Sequence, residues 1–238
     1  MGKIFQYECR RLLWNKFFIG LAVVLLLYGA FVLHAVTILG VSHTAPFSPW
    51  SFGDYLSRML PLLWLGMLFF LTFYTSPKAR RTAVLMDAAP MPPKQYALAQ
   101  CAAALAGGAL LTLLCIVEAA VFYGRMFGWF GWGSFLLPAL ATLLPALVFA
   151  LGSGWLLGQF FPWLVYVWMA IPFLLAAMPL PDALGLWNGQ FFTSYPLTLG
   201  TMDPEFVMPV SVIVAQITLL ILGAALMVSC SRRRKVMN

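Results

Sequence analysis

The stretch TSPKARRTAVLMDAAPMPPKQYALAQ, residues 75–100, decides how the chain is read. It is the only long polar interruption in the middle of an otherwise apolar sequence. Lys78, Arg80, Arg81 and Lys94 are basic, Asp87 is its one acid, and long apolar runs lie on both sides. Basic loops of membrane proteins are retained in the cytoplasm, so an island of this kind marks where a spanning chain returns there.

Composition agrees. Of 238 residues 63% are hydrophobic and 9% charged, and mean hydropathy is +0.92. A soluble domain carries roughly 25% charged residues, so this chain has too little polar surface to face water on all sides. The expectation is one all-α integral membrane domain. The net charge of +7 would hint at nucleic acid in a soluble protein. Here the basic residues cluster beside apolar spans and report topology instead, so no nucleic-acid partner is expected. The four cysteines, Cys9, Cys101, Cys115 and Cys230, fall on no outer loop and have no metal-type spacing, so neither a disulfide nor a metal is expected. The N-terminus does not read as a cleaved signal peptide, because its polar lead-in is long and its first apolar run is of spanning length.

Residues 1–16 can form an amphipathic helix, with Phe5, Cys9 and Leu12 or Leu13 on one face and Lys3, Gln6 and Arg10 on another. It reads either as an interfacial helix on the inner leaflet or as a basic flank that orients the first span. The transmembrane domain is expected over 17–230, with six spans at 17–40, Met59–Ser76, 96–123, 134–157, 162–179 and 208–230. Residues 41–55 are expected as a loop, and Pro61 in the first turn of the second span. Residues 124–133 read as a Gly/Trp-rich turn, 180–207 as a mildly acidic outer loop and 231–238 as a basic tail. Six spans put both termini on one side. Every Lys and Arg except Arg58 and Arg125 then falls with the termini and the island, which makes that side cytoplasmic.

Two ionisable residues sit inside spans, His34 and Glu118. Such groups are costly in lipid and suggest function by default. Both lie toward the outer ends of their spans and could share one level there. They read either as part of a substrate path or as satisfied interfacial groups, with Arg125 as a possible partner for Glu118. Pro145 and Pro172 are deep enough to bend their helices, around a cavity or simply for packing. The spacings Gly124–Gly128 and Gly154–Gly158 match a close-packing pattern. The sequence contains no phosphate loop, no H-E-x-x-H and no G-x-S-x-G. An enzyme is therefore not expected, and ATP cannot be held by that loop on this chain.

The island resembles the corresponding stretch in membrane subunits of type-2 ATP-binding cassette (ABC) exporters. In that family the second span leads into a charged stretch, a Gly-Thr pair, two aliphatics, a small-residue turn ending in Pro, then a basic residue and an aromatic opening the third span. Here Thr82 stands for the Thr and Leu85-Met86 for the aliphatic pair. Asp87-Ala88-Ala89-Pro90 stands for the turn, and Lys94-Gln95-Tyr96 leads into the span. The family's Glu is replaced by Ala79 and its Gly by Arg81. Beyond the island the likeness is one of layout, with Ser194-Tyr195-Pro196-Leu197 similar to an outer aromatic–Pro stretch.

The resemblance implies a coupling loop over 77–96 that docks on a separate ABC ATPase subunit carrying ATP and Mg. Ala83, Val84, Leu85 and Met86 would supply apolar contact. Arg80, Arg81 and Lys94 would steer the encounter, with Thr82, Asp87, Pro90 and Tyr96 completing the docking segment. It further implies a second copy or a related membrane subunit, the cell (plasma or inner) membrane as location, and a hydrophobic or amphipathic drug, lipid or peptide as cargo. The same basic loop would serve to bind anionic membrane lipids if no ATPase docked. An ion-coupled secondary carrier and a non-transporting anchor are the rival functions.

Overall fold

The structure, a computed structural model, describes residues 2–75 and 93–233, and side chains within 2–75 and 96–229. Every regular element among the described residues is helical. In chain order these are α1 (Gly2–Leu13), α2 (Lys16–Ala35), α3 (Pro49–Thr75), α4 (Pro93–Phe127), α5 (Gly133–Phe160), α6 (Leu164–Ala177), α7 (Gln190–Thr198) and α8 (Val210–Arg233). Short 3₁₀ turns occur at Thr37–Leu39 and Asp182–Leu184. Five of the helices, α2 to α5 and α8, are long and apolar enough to cross a bilayer, which makes the chain a multi-pass membrane protein.

Local chemistry explains the helix boundaries. The Asn15 side chain accepts from the Phe17 backbone N–H at 3.1 Å and opens α2. Ser48 does the same for the Ser51 N–H at 3.2 Å, with Pro49 in the first helical position of α3. Gly128, at φ +61°, ends α4 in a conformation that a side chain would strain. Pro162 and Pro179 bracket α6, and Pro209 precedes α8.

Helix α3 is the axis of the bundle. Within its apolar stretch 72% of residues are buried, against 17% in α8 and 28% in α2. Glycines let the neighbours approach it. Gly66 receives Leu21 of α2 and Leu111 of α4, while Gly107 and Gly108 of α4 lie against Phe70 and Met67. On the other side Gly154 and Gly158 of α5 receive Leu68, Leu71 and Thr75, so that spacing is a packing face, as its pattern suggested. The Gly124–Gly128 pair is not, since Gly128 has no neighbour within 4 Å. Phe17 on Phe69 and Leu21 on Gly66 set α2 antiparallel to α3; Phe52 on Phe135 and Trp64 on Phe149 set α5 parallel to it. Helix α8 crosses α5 where Gly152 meets the backbone of Gly223.

Four segments differ from the reading of the sequence. Helix α3 begins at Pro49 rather than Met59, so Pro61 lies well inside it and Asp54 belongs to the helix instead of a loop. The polar residues of this extension are satisfied internally. Ser51 Oγ donates to the Ala45 carbonyl at 2.8 Å, and Arg58 Nε donates to Asp54 Oδ2 at 2.8 Å. Helix α4 runs on to Phe127, so the Gly/Trp turn starts later than 124. Helix α6 has 14 residues, about 21 Å of rise, and falls short of a roughly 30 Å hydrocarbon layer by itself.

The segment 180–207 is not an open loop. Leu186, Trp187, Phe191 and Phe192 are buried, and Phe192 fills the space left by Gly53. Trp50 Nε1 donates to the Pro204 carbonyl at 2.8 Å, the Ala45 N–H to Asp203 Oδ1 at 3.2 Å, and Ser42 Oγ to the Thr193 carbonyl. Tyr195 of the aromatic–Pro stretch lies in α7 and packs on Trp50. These contacts cap the end of the bundle where α3 begins.

Candidate functional site

Two places hold the chemistry of this chain. The first is at the end of the bundle where α1 lies. Helix α1 forms over Gly2–Leu13, with Arg10 and Arg11 in its last turn, where cations favour the helix dipole. The face it buries is not the one read from its apolar residues alone. Glu8 and Leu12 are buried, Ile4, Cys9 and Leu13 are half-buried, and Phe5 is exposed.

Glu8 is 1% exposed, and burying a carboxylate without partners is costly. Its partners come from α4 and from its own helix. Tyr96 Oη donates to Glu8 Oε1 at 3.0 Å, and Arg11 Nη1 lies 3.6 Å from Oε2. Tyr74, next to the last residue of α3, lies within electrostatic reach of the same carboxylate, and Gln100 is buried one turn beyond Tyr96. Burial, and secondarily the Glu8 charge, raise the Cys9 thiol above its ordinary range. Tyr96, inside the island's C-terminal end, thus meets Glu8 of α1, and Tyr74, just before the island, lies near the same side chain.

Of the docking segment, Arg80, Arg81, Thr82, Ala83, Val84, Leu85, Met86, Asp87 and Pro90 lie outside the described residues, as does the side chain of Lys94. Tyr96 is described, and its hydroxyl faces Glu8. Sequence reasoning missed Glu8. The available signal was a lone acid within a basic, amphipathic lead-in, at helical spacing from Leu12.

The second place is the seam between α2 and α4. Glu118 is half-buried. Its Oε2 occupies the space a side chain at Gly29 of α2 would need, and Tyr55 Oη of α3 lies 3.4 Å away. The same hydroxyl donates to the Cys115 carbonyl at 3.2 Å. His34 is exposed and meets the edge of Phe122, one turn from Glu118, at 4.9 Å between ring centres. The two residues expected to share a level therefore lie along one seam, about 7.5 Å apart by the rise from Gly29 to His34. Arg125 is exposed and forms no ion pair with Glu118. Among the described residues, no three His, Cys, Asp or Glu side chains converge as a metal site would require.

Comparison with protein-family models, curated proteins and solved structures finds no match to this chain.

Proposed function

We propose that this chain is the transmembrane subunit of an ABC exporter of the cell membrane, driven by a separate ATPase subunit that carries ATP and Mg. In this reading the chain crosses the bilayer six times, with α6 and the packed segment after it serving as the fifth crossing. Both termini and the island face the cytoplasm. A second copy or a related chain completes the path, and the cargo is a hydrophobic or amphipathic drug, lipid or peptide.

One observation carries the reading beyond the island's sequence. Tyr96, within the island at the start of α4, donates to Glu8 of α1, and Tyr74 at the end of α3 lies within electrostatic reach of the same carboxylate. A partner that pushed on the island would move α1 and the start of α4 as one body. That is the mechanical requirement for converting closure of an ATPase into a rigid-body shift of membrane helices. A loop that served topology alone would need no such brace. Glu118, which has no cation beside it among the described residues, is the observation that favours an ion-coupled carrier instead.

Co-purification separates the two. The tagged full chain is isolated in mild detergent from its native host, and its partners are identified by mass spectrometry. The exporter reading expects a stoichiometric protein with a phosphate loop, lost when Leu85 and Met86 are both replaced by Asp. Recovery of the folded chain with no nucleotide-binding partner would sink it.

A further inference from the structure

The described carboxylates inside the bundle divide into two kinds. Glu8 and Asp54 are each 1% exposed, and each has an arginine within one helical turn, at 3.6 and 2.8 Å. Glu118 is of the other kind. It lies in the apolar helix α4, half-buried, and no Lys, Arg or His forms an ion pair with it among the described residues. Its one side-chain hydrogen bond comes from Tyr55, whose hydroxyl is shared with the Cys115 carbonyl. The chain supplies an arginine to its other two buried carboxylates and none to this one.

The surroundings are shaped to keep it there. Gly29 makes room, since any Cβ at that position would run into Glu118 Oε2 and come within 3.0 Å of Tyr55 Oη. Helical spacing puts Leu26 on α2 and Val121 on α4 one turn from the carboxylate, and both are exposed, at 37% and 50%. His34 and Phe122 bound the seam on the side toward the end of α2. The result is a single negatively charged group set in an apolar rim open to the lipid-facing surface.

We propose that the α2–α4 seam binds lipophilic monocations, with Glu118 as the counter-ion and Leu26 and Val121 against the apolar body. An unpaired carboxylate in a low-dielectric setting gains most from a ligand that brings its charge without a tightly held hydration shell. A lipophilic cation partitioned into the bilayer meets that description, and a hydrated alkali ion does not. This assignment rests on the transport reading for its purpose, and it narrows the cargo to a chemical class.

The test needs no ATPase, so its outcome is separate from that of the co-purification. The full chain is placed in nanodiscs of zwitterionic phosphatidylcholine. Protein-dependent binding of tetraphenylphosphonium is measured beside that of tetraphenylborate, its near-isosteric anion. The expected result is saturable binding of the cation alone, weakened at least about tenfold in Glu118→Gln, the loss of one charge partner. Gly29→Ala keeps the charge and displaces it, and should weaken the cation in the same direction. That variant also decides the matter if Glu118→Gln is not recovered folded. Absence of saturable cation binding to the wild-type chain, equal binding of the two probes, or unchanged binding in the folded variants would overturn the proposal.

Discussion

Tyr96→Phe isolates the brace on α1. It removes a hydroxyl that donates to the buried Glu8 carboxylate at 3.0 Å and leaves the ring in place. Hydrogen bonds to charged groups contribute about 1.5–3 kcal/mol, so the melting temperature of the solubilised protein should fall. Tyr7→Phe, at a ring 66% exposed on the same helix, should leave it unchanged. Gly189→Ala tests the cap at the other end. Gly189 has φ +79°, and an added Cβ would stand 2.7 Å from Ser57 Oγ and 2.9 Å from Asp54 Oδ1. The backbone strain alone is worth about 1–3 kcal/mol, and limited proteolysis within 180–207 should become faster. Sequence shows such residues unevenly. Asp54 and Arg58 stand at helical i,i+4 spacing, a local signal that the reading of 41–55 as a loop passed over. Glu8 and Tyr96 are 88 positions apart, and no local pattern links them.

At the scale of elements, hydropathy located the long helices well and their polar extensions poorly. The first ten residues of α3 include Ser51, Gly53, Asp54, Ser57 and Arg58, which lower the apolar average. The Ser48-Pro49 start was nevertheless legible as a capping signature. What was not legible is that residues 186–206 would cover this extension and satisfy it. The shortness of α6 was hidden for a related reason, because Met178, Pro179 and Leu180 continue its apolar run without continuing the helix. Glycine substitutions should separate contact from mere presence. Gly152→Val places a side chain in the backbone of Gly223 at the α5–α8 crossing. It should cost about 1–3 kcal/mol or more of stability by overpacking, seen as lower yield and melting temperature. Gly20→Ala, at a position of α2 with nothing within 4 Å, should raise stability by about 0.5–1 kcal/mol through helix propensity.

For the whole molecule, the contacts order the helices around α3, and the proposed topology, read from the basic residues, places its two ends on opposite sides of the membrane. Single cysteines at Lys3 and Asp203, in a chain otherwise free of cysteine, should be labelled by an impermeant maleimide from opposite sides. In intact cells only position 203 should react, and in inside-out vesicles only position 3; labelling of both from one side would break the six-crossing topology. The contact of Tyr96 with Glu8 of α1 needed the fold.

The central claim is that the island touches an ATPase, and contact can be captured at one position. A photo-crosslinking amino acid placed at Leu85 in the full chain, irradiated in the native membrane, reports what lies against it. The account predicts a single dominant adduct with a phosphate-loop protein, weakened when Met86→Asp is added. Crosslinking to lipid alone, with the chain folded and inserted, would contradict it.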